Sequence, residues 1–216
     1  FLATKTKDCI TDNSKHGLDF IVTGNIDRYV ISLGNVRYIN KKFVRPKISN
    51  KQNIISSGKW TLFSNPKIVI GGMTKTIEAA FDNVGVAVGV GVYCLTEIKH
   101  NPYFVLGVLN SKFSTYFFIN EFEAKHLAGG YLAINVGQLE LIPFPKDVTD
   151  IQKHDEIVKH VETMIQLNKE FQKSKPGEEQ ERIKQRLTYT DKKIDALVYE
   201  LYGLSEEEIK GIETAQ

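Results

Sequence analysis

Residues 28–77 read RYVISLGNVRYINKKFVRPKISNKQNIISSGKWTLFSNPKIVIGGMTKTI and hold ten basic side chains without one Asp or Glu. The ten are Arg28, Arg37, Lys41, Lys42, Arg45, Lys47, Lys51, Lys59, Lys67 and Lys75. The segment carries a formal charge of +10, whereas the whole chain of 216 residues carries only +2. A segment of strands and turns cannot bury so many unpaired cations, because each would cost several kcal/mol or more. We therefore expect these side chains at the surface, along one concave side of the domain.

The charge of residues 28–77 favours a nucleic acid as the partner. Like charges crowded on one surface repel one another unless a polyanion offsets them, and Lys and Arg supply the phosphate contacts that dominate nucleic-acid affinity. A solvated basic face without any partner is the alternative that the charge pattern leaves open.

The compensating acid lies at the other end of the chain. Residues 178–216 contain ten acidic and six basic side chains, a net charge of −4. This segregation indicates that the two ends of the chain meet different partners.

Composition excludes several classes of protein. A hydrophobic content of 42% and a charged content of 25% are ordinary for a globular protein. The longest apolar run, residues 84–95, is interrupted by three glycines and is too short to span a bilayer. Cys9 and Cys94 are far apart and form neither a metal motif nor a disulfide framework. We expect a cytoplasmic protein without membrane contact and, because the first residue is Phe1, a piece of a longer chain.

Residues 20–98 show β-strand patterns. Residues 29–33 and 36–39 flank Gly34 and Asn35, a pair that favours a type II′ hairpin turn. Residues 66–70 have the composition of a short buried strand that ends at two glycines, and residues 84–98 that of one or two buried strands. Residues 73–76 then form a polar loop suited to phosphate or base-edge contacts, or else an ordinary hairpin loop.

After residue 100 the spacing of the apolar residues changes to that of helices. Asn101 and Pro102 are typical of a helix N-cap and first position, and the helix they predict is apolar on nearly all sides up to Phe122. Thr149 and Gln152 form a capping-box pair before a second amphipathic helix. A third helix follows residues 175–177 (Lys-Pro-Gly), and a short fourth starts at Ser205 with Glu208. Apolar stripes on the second and third predict an antiparallel helical hairpin.

These patterns predict an α+β fold: a curved, mostly antiparallel sheet with a packed core helix, followed by the C-terminal helical hairpin. We draw the domain boundary near Lys146, with a β-rich domain over residues 1–146 and the hairpin over residues 147–216.

Signals of catalysis in the chain are weak. Residues 101–104 (Asn-Pro-Tyr-Phe) resemble the Asn-Pro-Pro-Tyr signature of adenine methyltransferases but lack the second proline, and a helix start explains them better. Gly85, Gly89 and Gly91 do not have the spacing of a dinucleotide-binding loop, so we expect no S-adenosylmethionine site here. The five histidines form no ligand cluster, and we expect no metal.

A nuclease is the first alternative. Asp82, Glu97 and Lys99 have a spacing that permits a Mg²⁺ site of the restriction-endonuclease type, in which the metal activates water for phosphodiester hydrolysis. A helical protein-interaction module is the second alternative, and it would dimerise through the stripe between Ile183 and Leu201.

Five short segments carry a resemblance to a known family: GNIDRY (24–29), PKIVI (66–70), YFVLGVLNSK (103–112), LELIPFP (139–145) and the tail IDALVYELYGL (194–204). Taken in order, they resemble the TaqI-like target-recognition domain of adenine-N6 DNA methyltransferases and type IIG restriction-modification enzymes. This family is similar to the recognition domains of type I restriction specificity subunits. The resemblance implies a non-catalytic domain that recognises a sequence in double-stranded DNA. The partner would be a methyltransferase or endonuclease domain in the same or another chain, and S-adenosylmethionine would bind there.

We assign the candidate DNA contacts on this basis. The expected phosphate contacts are Arg28, Lys41, Lys42, Arg45, Lys47, Lys51, Lys59 and Lys67. The expected base contacts are Thr74, Lys75, Thr76, Lys125 and His126, and Trp60 is a candidate for stacking on a base or sugar. The acidic helical hairpin is expected to be a spacer or a docking surface for the catalytic partner.

Overall fold

A computed structural model of the protein describes residues 7–50, 54–122, 126–127, 130–145 and 150–215, with only the backbone described at 126–127. The chain divides into two compact units. The first unit comprises Phe1–Thr74 and Glu78–Ile98, and the second comprises Lys75–Ile77 and Lys99–Gln216. The predicted functional boundary near Lys146 stays a prediction, because residues 146–149 lie outside the described part.

The strands are β1 (Ile10–Asp12), β2 (Leu18–Ile21), β3 (Ile26–Asp27), β4 (Val30–Ile31), β5 (Val36–Tyr38), β6 (Lys41–Phe43), β7 (Pro46–Ile48), β8 (Lys67–Gly71), β9 (Met73–Thr74), β10 (Ala79–Asp82), β11 (Val86–Val88), β12 (Val92–Leu95), β13 (His126–Leu127) and β14 (Tyr131–Ala133). The α-helices are α1 (Ser57–Ser64), α2 (Pro102–Leu109), α3 (Lys112–Glu121), α4 (Val136–Leu139), α5 (Ile151–Lys173), α6 (Glu178–Leu201) and α7 (Glu206–Thr214).

Several small sheets build the first unit. One sheet has the order β1-β7-β2-β11 and another the order β10-β8-β12, and of these neighbours only β2 and β11 run parallel. The pairs β3–β4 and β5–β6 are antiparallel. One hydrophobic core gathers around Phe20, Tyr38 and Phe63, and a second around Ile21 and Val69.

The central strand β8 confirms the predicted buried strand. Every residue from Lys67 to Gly71 is buried, and β10 and β12 pair with the two edges of this strand. Between residues 84 and 98, β11 confirms a buried strand with Val86 and Ala87 buried, whereas in β12 only Val92 is buried. A short polar segment with β9 then separates β8 from β10.

The predicted hairpin turn at Gly34 and Asn35 is wrong. Both residues have the positive φ angles that their types favour, +90° and +52°, but they lie at the open end of the β5–β6 hairpin. There Asn35 N–H donates to the carbonyl of Val44 (2.8 Å). The turn itself is formed by Ile39 and Asn40, both with positive φ, as a type I′ turn requires.

Helix α1 is a second departure from the expected strands and turns. Ser56 is its N-cap, and the Ser56 hydroxyl accepts a hydrogen bond from Lys59 N–H (3.3 Å). Phe63 is fully buried on the inner face, which anchors the helix to the first core. Gly and Ser within the helix lower its intrinsic propensity, so tertiary packing decides its conformation.

The predicted core helix of residues 101–122 is divided into α2 and α3. The Ser111 hydroxyl donates to the Val108 carbonyl (2.7 Å) and accepts from Ser114 N–H (3.2 Å), so Ser111 ends one helix and caps the next. The predicted cap at Asn101 is confirmed by its bond from Tyr103 N–H (2.9 Å). Residues 104–109 are all buried, as expected for a core helix.

The helical hairpin α5–α6 packs against α2. A Cβ atom added to Gly107 would lie 2.5 Å from Ile157 Cγ2 and 3.3 Å from Val161 Cγ2, so glycine permits this close approach. Ile183 and Ile194 of the second stripe are buried within the unit. This packing occupies the stripe that the dimerisation alternative would need.

Polar contacts fix the ends of these helices. Asp195, buried on α6, accepts a hydrogen bond from Lys112 N–H at the start of α3 (2.9 Å). The hydroxyl of Tyr202 donates a hydrogen bond to the carbonyl of Pro143 (2.6 Å). Asp150 is the N-cap of α5, while the predicted cap Thr149 lies outside the described residues. The predicted start of a short helix at Ser205 with Glu208 is confirmed, and the two residues form a capping box.

The α+β class, the mostly antiparallel pairing, the packed core helix and the C-terminal helical hairpin are confirmed. The sheet is divided into several small sheets. In the described residues no helix is long and apolar enough to cross a membrane.

Candidate nucleic-acid interface

The β5–β6 hairpin with the following Arg45 forms a cationic hairpin on the first unit. Arg37, Lys41, Lys42 and Arg45 are all exposed. Arg37 on β5 lies directly opposite Lys42 on β6, so two cations share one face of a two-stranded ribbon. Like charges directly opposite one another destabilise a strand pair. Within the described residues, Arg37, Lys41 and Lys42 make no ion pair with a carboxylate.

Asn25, from the GNIDRY segment, holds one end of this hairpin. The side chain of Asn25 is buried and donates from Nδ2 to the carbonyls of Ser32 and Gly34, both at 2.8 Å. Asn25 Oδ1 accepts from Val22 N–H (3.0 Å). One amide thus ties the entry of the hairpin to β2, a role that the sequence analysis did not foresee.

Asp12 holds the other end. The carboxylate of Asp12 accepts from the N–H groups of Val44 (2.9 Å) and Arg45 (2.7 Å). These backbone hydrogen bonds, the one from Val44 first, hold the pKa of Asp12 below its ordinary value. With both ends fixed, the cations of the hairpin are presented on a defined backbone.

Arg45 and Lys47 have an acidic neighbour. The side chain of Asp19 lies 3.6 Å from Arg45 Nε and 3.7 Å from Lys47 Nζ. Lys47 is half-buried beside this carboxylate. Lys47 is therefore partly neutralised, whereas Arg37, Lys41 and Lys42 retain their full charge toward solvent.

The expectation that all ten cations lie at the surface is wrong for Lys67. Its side chain is fully buried and forms an ion pair with Asp82, the residue directly opposite on β10. Lys67 Nζ also donates to the carbonyl of Phe63 (2.8 Å) at the end of α1. Burial makes this cation unavailable to a phosphate, and the buried partner offsets its charge.

Asp82 also has a structural role. Its carboxylate accepts from the N–H groups of Val84 (3.1 Å), Gly85 (2.9 Å) and Val86 (2.7 Å), in addition to the pair with Lys67. A side chain that is 1% exposed and bound in this way is not a ligand open to Mg²⁺. The described residues contain no group of three His, Cys, Asp or Glu side chains that could hold a metal ion.

Lys59 and Trp60 lie on α1. Lys59 is half-buried, with Nζ 5.4 Å from the centre of the Phe63 ring. Trp60 is half-buried and packs against the first core. Trp60 therefore contributes to packing, and stacking on DNA stays a prediction.

The three residues of the predicted base-reading segment, Thr74, Lys75 and Thr76, differ in their exposure to solvent. Thr74 is buried, with only 4% of its surface exposed, and Thr76 is half-buried. Lys75 is exposed and belongs to the second unit, where its Nζ lies 5.8 Å from the centre of the exposed Tyr131 ring. Sequence reasoning missed Tyr131, although an aromatic residue directly after a glycine pair was a visible signal.

Three predicted contacts are not described. Lys51 and Lys125 lie outside the described residues, and of His126 only its place in β13 is known. Their contacts with DNA stay predictions.

Arg28 lies beside an unusual carboxyl group. Arg28 is half-buried, with its guanidinium 5.7 Å from the centre of the Tyr29 ring. Burial, with a smaller contribution from the negative charge of Asp27, raises the pKa of Glu78 to about 7, and Arg28 opposes this rise. Glu78 thus binds a proton more tightly in the folded chain than in the unfolded one.

We expect this carboxyl group to make the folded chain less stable as the pH rises. The contribution of Glu78 is full below its unfolded pKa and is lost as the pH rises through about 7. The Glu78→Gln variant should lose less stability than the wild type between pH 5 and pH 8, as measured by urea unfolding. Glu97→Gln, at an exposed site of the same unit, is the matched control and should retain the wild-type dependence.

Comparison with solved structures shows a fold similar to that of the type IIL restriction-modification enzyme MmeI, which was solved in complex with DNA. The TM-score is 0.55 at 12% sequence identity, so the likeness concerns the fold alone. It covers 94% of this chain and 29% of the MmeI chain, so the present chain spans less than a third of that enzyme. No curated protein matches the sequence.

The sequence also matches a family model. The matching family is described as the TaqI-like C-terminal specificity domain, and the match extends over residues 20–144. This range includes the cationic hairpin, the ion pair of Lys67 with Asp82, and the helices α2 and α3. Because the match covers more than half of the residues of this chain, the chain belongs to the family of TaqI-like C-terminal specificity domains.

Proposed function

We propose that the chain recognises a sequence in double-stranded DNA as the specificity domain of a restriction-modification enzyme. The observation that carries the proposal is the cationic hairpin, in which Arg37 opposes Lys42 without a carboxylate partner in the described residues. Bringing like charges together costs stability, and phosphates along a duplex offset that cost. Membership of the specificity-domain family supports the same function.

The relative with a similar fold supports a DNA partner. MmeI is a restriction-modification enzyme solved with DNA, and this chain corresponds to 29% of its length. We infer that catalysis resides on a domain outside residues 1–216. As a finer proposal, that domain transfers a methyl group from S-adenosylmethionine to the N6 atom of adenine, alone or fused to an endonuclease as in type II restriction enzymes.

The candidate contacts divide between two roles in this proposal. Arg37, Lys41, Lys42 and Arg45 contact phosphates and set the register of the domain on the duplex, with Arg28, Lys47, Lys51 and Lys59 as further contacts. Lys67 is excluded by its burial. Lys75, together with Thr76 and Tyr131, approaches base edges or sugars, and Lys125 and His126 do the same.

Binding to a labelled duplex tests this function. The fluorescence anisotropy of a duplex of about 30 base pairs, titrated with the 216-residue chain, should show binding that weakens as salt is added. The logarithm of the affinity should fall linearly with the logarithm of the salt concentration. A chain that binds no duplex at low salt contradicts the proposal.

The acidic C-terminal helices are proposed to act as a spacer or as a docking surface for the catalytic domain. Glu206 and Glu207, both exposed in the first turn of α7, are therefore not expected to contact DNA. Reversing both charges to lysine should not weaken DNA binding more than about threefold. This change is smaller than the loss of affinity expected when one phosphate contact is removed. Glu208 is left unchanged because it caps the helix with Ser205. A large loss of affinity in the anisotropy titration contradicts this division of labour.

A further inference from the structure

A cavity opens in the first unit where α1 faces the turn between β11 and β12. Its volume is about 380 Å³, which falls within the range of small-molecule sites. It is lined by the half-buried Tyr93 of β12 and the exposed Val90 at the turn, with Tyr38 of β5 and Phe63 of α1, which are 7% and 0% exposed, deeper in the wall. Lys59 also lines the cavity. Lys59 is also a proposed phosphate contact, but phosphate binding does not account for the apolar walls of this cavity.

The aromatic walls are held in place by their surroundings. The rings of Tyr38 and Phe20 pack edge to face, with their centres 5.0 Å apart. Phe63 is fully buried. A Cβ atom on Gly72 would lie only 2.8 Å from Tyr93 Cε2, so the ring of Tyr93 packs closely against the backbone of β8 and its turn. The walls therefore have little freedom to lose when a planar ligand enters.

The cavity combines an apolar interior with nearby positive charge. Burial raises the pKa of the Cys94 thiol to about 11, so this wall is neutral at physiological pH. Lys59 Nζ lies 5.4 Å from the centre of the Phe63 ring. Lys41 is exposed and directly opposite Tyr38 in the β5–β6 register, so it extends from the same face of the hairpin. None of the described residues that line the cavity is acidic.

We propose that this cavity binds a nucleobase that has left the stack of the bound DNA. Aromatic and aliphatic walls suit the flat, uncharged base, and Lys59 and Lys41 suit the phosphates on either side of it. An unstacked base gains stacking contacts in the cavity that offset the cost of leaving the duplex. This proposal rests on DNA being the partner, and it adds a site on the recognition domain itself.

The test compares duplexes that differ at one position. One duplex is fully paired, the second contains one unpaired thymidine, and the third contains one unpaired abasic nucleotide that has the same backbone but no base. The 216-residue chain should bind the thymidine bulge about 5- to 100-fold more tightly than the abasic bulge, the range expected for one stacked base. Equal affinities for the two bulges overturn the proposal.

Two valines provide a matched pair of variants. Val90 is 70% exposed at the mouth of the cavity, and Val84 is 79% exposed in the same unit and does not line it. Both sites are at the surface, so Val90→Glu and Val84→Glu should both fold and change the net charge equally. Val90→Glu should abolish the preference for the thymidine bulge, because its carboxylate repels the flanking phosphates. Val84→Glu should retain it.

The outcomes separate this site from the proposed function. If the paired duplex binds but the thymidine bulge has no advantage, or if both valine variants lose it, the cavity proposal fails while DNA binding stands. If no duplex binds at low salt, both proposals fail together.

Discussion

Replacing Lys67 with methionine should destabilise the first unit by about 3–5 kcal/mol, the loss typical of a buried ion pair from which one partner is removed. Lys67 is fully buried, and its ammonium neutralises Asp82 while donating to the Phe63 carbonyl. Methionine fills a similar volume but leaves the Asp82 carboxylate buried without a cation. Urea unfolding of the variant, compared with the wild type, measures the change in the free energy of unfolding.

Two further variants make this prediction specific. Asp82→Ala should cost at least as much, because the N–H groups of Val84, Gly85 and Val86 then lose their acceptor. Lys42→Met is the matched control at an exposed site, and it should change the stability by less than about 0.5 kcal/mol. A Lys67→Met variant as stable as Lys42→Met contradicts the structural role of the pair.

The same variants bear on the nuclease alternative. That alternative requires a stable Asp82→Ala protein that has lost Mg²⁺-dependent cleavage. The hydrogen bonds of Asp82 instead predict that the substitution loosens the fold around α1 and β11. Unfolding in place of a specific loss of cleavage supports the structural assignment.

Replacing Arg37, Lys41 and Lys42 together with glutamine should lower the affinity for duplex DNA by roughly two to three orders of magnitude at 0.1 M salt. These cations lie exposed on the cationic hairpin and make no ion pair within the described residues. Each phosphate contact that is lost should reduce the slope of log affinity against log salt by about 0.9, so the triple variant should lose about 2.7. Anisotropy titrations at several salt concentrations measure both quantities.

The matched control removes the same charge from the other end of the chain. Lys169, Lys173 and Lys184 are exposed on α5 and α6, and changing all three to glutamine gives the same net charge as the hairpin variant. The control should retain most of the salt slope. Equal losses in the two variants would mean that net charge alone, rather than the hairpin, determines binding.

Periodic patterns in the sequence predicted the elements that are stabilised by burial. The apolar run before Gly71 and Gly72 became the central strand β8, and the stripes at 157–171 and 183–201 became the hairpin α5–α6. In each case one face must be buried, so the pattern determines both the element and its orientation. The α+β class followed from the same patterns, whereas the family resemblance rested on the order of short segments such as GNIDRY (24–29).

Local sequence patterns could not predict the long-range polar contacts. Asn25 and Asp12 determine where the β5–β6 hairpin starts and ends, and both act on residues that local patterns do not connect with them. The turn at Ile39 places a β-branched residue at a φ of +42°, which residue preferences argue against. The cations of the hairpin were identified correctly as exposed, but their arrangement opposite one another was not foreseen.

Lys67 shows the limit of arguments from charge. The high charge of residues 28–77 predicted that every lysine in this segment lies at the surface. Lys67, however, begins the apolar run of β8. Its burial depends on the antiparallel register that places Asp82, fifteen residues later, directly opposite it. A single lysine in a buried strand followed by an aspartate at the end of the next strand is the signal that was available.

The most direct measurement for the central claim is selection from a pool of randomised duplexes by the 216-residue chain at several salt concentrations. The account predicts that bound DNA becomes enriched in one short sequence and that total recovery falls steeply as salt rises. The hairpin variant should recover far less DNA than the control with charges removed from α5 and α6. Recovery at low salt no greater than that of a sample without protein would contradict the account.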